Sequence, residues 1–161
     1  MKQYGCITPN AKAVEYPVAA SQKFYRKGGH FVYLDASGHI TLALTATATL
    51  FGYVPNVPAG QGAEAAGSAY WQSSATAGAD KLLVIRDLTA EYFVPASTTA
   101  TAAMCGDACD IIGVNDGTVQ TADVDTSTTD VLLIRRTGTS VGGAATDVVV
   151  SINPAKVQAD T

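Results

Sequence analysis

Residues 109–136 read CDIIGVNDGTVQTADVDTSTTDVLLIRR, and the reading of this stretch decides the fold class. Ile111, Ile112 and Val114 form an apolar run that meets Asn115-Asp116-Gly117, which can supply the positive φ of a tight hairpin turn. The chain alternates through Thr118, Val119, Gln120 and Thr121, breaks in a polar segment over 123–130, and returns as Val131-Leu132-Leu133-Ile134 before Arg135 and Arg136. The pattern predicts strand, turn, strand, loop and buried strand. None of it carries the 3.6-residue period of an amphipathic helix.

The same pattern extends in both directions. Phe24-Tyr25-Arg26 leads through Gly28-Gly29 to an aromatic and β-branched run over 30–35; Ala36-Ser37-Gly38 turns the chain and residues 39–44 return, a hairpin signal. We expect Leu34 opposite His39 in it. Alternation continues to Leu50, so the returning strand is expected to be long or bent near Ala46, and Phe51-Gly52-Tyr53-Val54 finishes it at Pro55. Residues 56–76 read as a long loop with one helical turn around 63–66 and Trp71 as its only large anchor. Strands follow over 81–87, 91–95 and 147–152, with a Ser/Thr/Ala connector over 96–103. Residues 79–86 and 129–135 echo each other: a polar loop ending in Asp, a run expected to be buried on both faces, then Arg.

At 161 residues the chain suits one domain with a real core. Charged residues make up 15%, against about a quarter in typical proteins, and long charged side chains are what usually solubilise exposed helices. The expectation is an all-β (mainly β) fold, a small β-barrel or sandwich. An extended N-terminal arm over 1–20 precedes a single β domain over 21–156, and a C-terminal tail covers 157–161. The arm, with a tyrosine near each end (Tyr4 and Tyr16), is expected to order against a neighbouring subunit.

Net charge is −4 with a pI of 4.9, which argues against nucleic acid as a partner, since phosphate needs a basic face. Lys2, Lys12, Lys23, Arg26 and Lys27 precede Asp35 with only Glu15 opposing them, whereas Asp107, Asp110, Asp116, Asp123, Asp125 and Asp130 run without a basic residue before Arg135. The asymmetry is either an orienting device for a partner or chance clustering on a solvated surface. No run has signal-peptide character or approaches a membrane span, so a soluble cytoplasmic product without a membrane partner is expected. Three cysteines, Cys6, Cys105 and Cys109, suggest reduced thiols.

Chemistry-bearing patterns are weak. His30 and His39 are placed roughly 16 Å apart by five residues at about 3.3 Å each and read as surface or turn residues. Cys105 and Cys109 lack the further ligands that zinc needs, and Cys109 reads as a small buried residue at a strand start. Asp123, Asp125 and Ser127 resemble half a calcium loop, but Thr128 stands where Gly is required and Ile134 where Glu is required. No serine sits in a nucleophile elbow. Neither catalysis nor a cofactor or metal is expected.

Three pieces carry a resemblance: Ala20-Ser21-Gln22-Lys23-Phe24 through Val32-Tyr33-Leu34-Asp35 and Gly38-His39-Ile40, then residues 74–86 (SATAGADKLLVIR) leading to Phe93-Val94-Pro95, and Cys109-Asp110-Ile111 followed by 127–132 and 150–156. Together they resemble the head-decoration (cement) proteins of tailed bacteriophages. The resemblance implies a β-rich protein on the outer capsid surface of the virion, made in the host cytoplasm and contacting several subunits of the major capsid protein. It also implies a homo-oligomer, a trimer being favoured, and no catalytic residues. Tyr4, Tyr16, Phe24, Tyr25, Arg26 and Trp71 are the candidate contacts, each of which could equally be core. The competing reading is a β-sandwich adhesion or carbohydrate-binding module using Trp71 and Tyr70 as a sugar platform.

Overall fold

The computed structural model describes residues 4–58, 69–137 and 145–159. Its architecture is almost entirely β, in thirteen strands. The first eight are β1 (Gly5–Cys6), β2 (Ala13–Pro17), β3 (Lys23–Tyr25), β4 (His30–Leu34), β5 (Ile40–Leu42), β6 (Gly52–Val54), β7 (Tyr70–Gln72) and β8 (Lys81–Ile85). The rest are β9 (Tyr92–Ala100), β10 (Ala108–Ile112), β11 (Thr121–Asp123), β12 (Leu132–Thr137) and β13 (Ala145–Ile152), with single 3-10 turns at Ala102–Met104 and Pro154–Lys156. Among the described residues no helix is long and apolar enough to cross a membrane.

The C-terminal half closes into a five-stranded barrel. Going round it, β9 pairs β13, β13 pairs β12, β12 pairs β10 and β10 pairs β11, all antiparallel; β11 then meets β9 in parallel at Ala122 and Ala96. Small side chains at this seam let the two backbones approach. The interior holds Val94, Cys109, Ile111, Leu132, Ile134 and Val150, all buried. The N-terminal half forms a second sheet, ordered β2-β8-β6-β4-β5, and a two-stranded ribbon β3-β7.

Period-two alternation explains how these parts stack. On β4 and β6, Phe31 and Tyr53 point to the barrel and cover its core, with the Tyr92 ring tilted against Tyr53 at a centroid distance of 4.3 Å. The alternate residues Val32, Leu34 and Val54 point the other way, joining Phe24 and Trp71 of the ribbon in a second core. The central sheet is therefore apolar on both faces, a barrel on one side and a ribbon on the other.

The quoted stretch keeps the expected order of strand, turn, strand, loop and strand, but its hairpin is not tight: residues 113–120 form an eight-residue connection, Thr118–Gln120 lie outside any strand, and the second strand includes Asp123. β10 and β11 pair in antiparallel fashion, Ile111 opposite Ala122 and Ile112 opposite Thr121, around a turn in which Gly117 takes φ +88°. After the polar loop, β12 runs back beside β10. Its echo, β8, lies in the other sheet, and Leu83 is 51% exposed. The two runs are thus one per half, but burial on both faces does not hold for β8.

Several expectations are corrected. The 1–20 arm is built into the sheets over its described part: β1 pairs β9 and β2 pairs β8 along its whole length. The tail is pinned at its start, because Val157 bridges Leu50 and the Gln158 amide both accepts from the Leu34 N–H and donates to its carbonyl. The strand expected through Leu50 stops at Leu42; Thr47 Oγ1 accepts the Leu44 N–H at 2.8 Å, and this local bond forms a turn where the small side chains have nothing to pack against. Residues 96–100 are no connector but the second half of β9, since Thr and Ser suit a half-buried strand with partners on both sides. Residues 70–72 of the expected loop form β7; the helical turn expected at 63–66 lies outside the described residues.

The β4–β5 register is one residue from that expected, with Leu34 opposite Ile40. The three-residue turn 36–38 sets it: Gly38 takes φ +78°, and Asp35 Oδ1 accepts the N–H groups of Ser37 and His39.

Candidate interaction surface

The six sequence-derived contact candidates separate into two groups. Phe24 and Trp71 lie directly opposite each other on β3 and β7, have no exposed surface, and pack with ring centroids 5.8 Å apart. They are the ribbon's contribution to the core, so neither can touch a partner. The apolar strand pairing around them was the signal available, since a tryptophan opposite a phenylalanine on a short ribbon has one face to bury. With Trp71 enclosed, the sugar platform built on it and Tyr70 is lost.

Tyr4, Tyr16, Tyr25 and Arg26 are half-buried. Tyr4 stacks on Phe93 at 5.4 Å and its hydroxyl donates to Asp147 Oδ1 at 2.8 Å. Burial and the neighbouring Asp147 carboxylate push its phenol up to about 12, so it stays a neutral donor. Tyr25 comes to the same place from the ribbon. Gly28 lies between the two, and a β-carbon there would stand 3.8 Å from each tyrosine. Arg26 follows on the chain, its N–H bonded to the Ala69 carbonyl, and Lys27 is exposed. Tyr4, Tyr25, Arg26 and Lys27 thus make one aromatic and basic patch where β1 meets the end of the ribbon.

Tyr16 belongs elsewhere. Its ring meets Phe51 edge-on at 4.8 Å, and the Arg86 guanidinium lies over the same Phe51 ring at 4.1 Å. Its strand, β2, forms the outer margin of the central sheet, where Val14 is 54% exposed and Glu15 reaches Lys81 at 3.9 Å. Beside them runs a shallow groove lined by Glu15, Val57, Pro58, Lys81 and Leu83. A further exposed apolar site joins Leu44 and Val114, held together by the Thr45 N–H to Gly113 carbonyl bond. Sequence reasoning missed both surfaces: Val14 was read as part of an extended arm, Leu83 as part of a run buried on both faces, and Leu44 and Val114 as members of apolar strands.

The titratable groups inside serve the fold. His30, expected at the surface, is fully buried: Nε2 accepts the Tyr25 N–H at 3.0 Å and Phe24 lies edge-on to the ring. Burial lowers its pKa to about 4, and Nδ1 faces the Thr118 carbonyl without closing a hydrogen bond of normal geometry. His39 caps the β4–β5 turn beside Asp35 at 3.6 Å. Cys109 is buried as read, and burial pushes its thiol up to about 12, leaving it unreactive. The failed calcium loop has another organiser: Asp110 accepts the N–H groups of Thr128, Thr129 and Asp130. Among the described residues no group of three His, Cys, Asp or Glu side chains is arranged to hold a metal ion.

No family model matches the chain, and neither a curated protein nor a solved structure matches it.

Proposed function

We propose that this chain is a capsid decoration protein of a tailed bacteriophage, which binds the outer surface of the major capsid shell across subunit boundaries and stabilises it non-covalently. The observation that carries the reading is the distribution of exposed apolar side chains. Val14 stands on β2 and Leu83 on β8, while Ile7, Leu44, Leu88 and Val114 stand in connecting segments spread along the chain, in addition to the tyrosine pair around Gly28. Ligand sites gather such groups in one concavity, whereas a protein held by several neighbours uses many shallow contacts. Each contact can be weak, because attachment to a lattice multiplies them. The rigid three-layer β body suits this role, since little conformational entropy remains to be lost on binding. Made in the host cytoplasm, it would join the shell from outside.

Co-sedimentation with shells of the major capsid protein of the same phage tests the reading. The protein is expected to pellet with the shells at saturable stoichiometry and to raise their disruption temperature. Tyr25→Ala should weaken binding about tenfold, as loss of an aromatic anchor typically does, with the circular dichroism of the free protein unchanged. Failure of the wild-type chain both to pellet and to protect the shells sinks the proposal.

A further inference from the structure

β2 (Ala13–Pro17) is the outermost strand of the central sheet, with β8 on one side and, among the described residues, no strand on the other. The Val18 N–H donates to the Asp80 carbonyl at 2.9 Å, one step beyond the pair Pro17 and Lys81. In an antiparallel ladder, alternate residues turn both backbone groups toward the partner and away from it. Val14 and Tyr16 therefore bond to β8, while Ala13, Glu15 and Pro17 present theirs outward. Ala13 and Glu15 offer a donor and an acceptor each; Pro17, lacking an N–H, offers only its carbonyl.

We propose that β2 pairs antiparallel with β2 of a second copy, about a twofold axis beside Val14. A twofold perpendicular to the sheet keeps each face on its own side, so only registers centred on one residue are open to it. Centring on Glu15 would oppose two carboxylates. Centring on Tyr16 would set Pro17, which has no donor, against Glu15, and centring on Ala13 would lean on residue 11, outside the strand. Centring on Val14 brings Val14 against Val14, Ala13 against Glu15 and Lys12 against Tyr16. The half-exposed valines then cover each other, each Lys12 ammonium comes over an aromatic face, no like charges stand opposite, and every outward N–H of Ala13 and Glu15 gains an acceptor. Glu15 keeps its Lys81 partner throughout. The inference does not depend on the capsid reading, and it gives a dimer where the resemblance implies a trimer.

Sedimentation velocity of the purified full chain over a concentration series tests it, with no capsid present. The expected result is a monomer–dimer equilibrium. Val14→Lys, which sets like charges at the axis, and Glu15→Pro, which deletes one outward N–H while leaving the bonds to β8, should each lose the dimer with unchanged circular dichroism and melting temperature. In a Cys105→Ser background, Val14→Cys should cross-link to its own copy on mild oxidation, because residues opposite in a non-bonded pair stand about 4.5 Å apart at Cα, within disulfide reach. Ala13→Cys should not. A chain that stays monomeric at every concentration, assembles as a trimer, or dimerises equally well as Val14→Lys overturns the proposal.

Discussion

Asp110 is a nearly buried carboxylate that three consecutive backbone N–H groups surround, at 2.8 to 3.0 Å from Oδ1. Burial alone would raise its pKa, but the donors on Asp130, Thr129 and Thr128 outweigh it and hold the carboxyl below its ordinary value. They also hold Asp130 in the left-handed region, at φ 57°. Asp110→Ala leaves these donors without an acceptor and is expected to cost about 3 kcal/mol in chemical denaturation; Asp110→Asn, which keeps an oxygen, should cost less. His30 works in a different pH window. Its pKa falls from 6.5 free to about 4 folded, so the unfolded chain takes up the proton first. Its contribution is complete above pH 6.5, declines between 6.5 and 4 and is absent below, at most roughly 3 kcal/mol in all. Stability profiles of the wild type and His30→Gln should therefore converge toward pH 4. Asp110, with its lowered pKa, loses its contribution only as the pH falls further. Parallel profiles would refute the assignment to His30.

At the scale of elements, legibility followed side-chain size. β4, β8, β10, β12 and the second half of β13 were readable because β-branched and aromatic residues alternate or run together there. The Ala and Thr segments were not readable: residues 44–49 and 96–100 have nearly the same composition, yet one is a turn and the other half of the barrel's longest strand. What separates them is whether partner strands lie alongside, which no local pattern records. Two of the contact candidates, Phe24 and Trp71, went astray for a related reason: on a short ribbon, whether an aromatic is surface or core is decided by the sheet that covers it. Gln120 was unremarkable in sequence, yet it ties the barrel to the central sheet: its amide accepts the Phe31 N–H at 2.7 Å and donates to the carbonyls of Phe31 and Ala43. Gln120→Leu should cost about 3 kcal/mol in denaturant, because the Phe31 N–H and the Ala43 carbonyl lose their partner in the interior, while the Phe31 carbonyl keeps the Ala43 N–H. Gly113→Ala should be comparably harmful. A β-carbon there would stand 2.3 Å from the Ala43 carbonyl oxygen, and backbone on both sides of that contact cannot yield cheaply.

For the whole molecule, the central sheet makes the two cores one cooperative unit. Phe31 and Val32, neighbours on β4, belong to opposite cores, so neither core can loosen without moving the strand the other needs. Thermal unfolding should show a single transition in which fluorescence of Trp71, the sole tryptophan and a reporter of the ribbon core, coincides with near-ultraviolet circular dichroism of the Phe31, Tyr53 and Tyr92 cluster beneath the barrel. Separated midpoints would show that the layers melt independently. The same wiring has a consequence during synthesis. Among the described residues, β2 finds its strand partner in residues 81–85 and β1 in residues 92–93. At roughly 5–20 residues per second, the first strands leave the ribosome several seconds before the chain that pairs with them exists. β1 and β2 are therefore made as unpaired, β-forming polypeptide that must wait while β4, β5 and β6 already have one another as partners, and completion of the central sheet is timed by the emergence of β8 and that of the β1 pairing by β9.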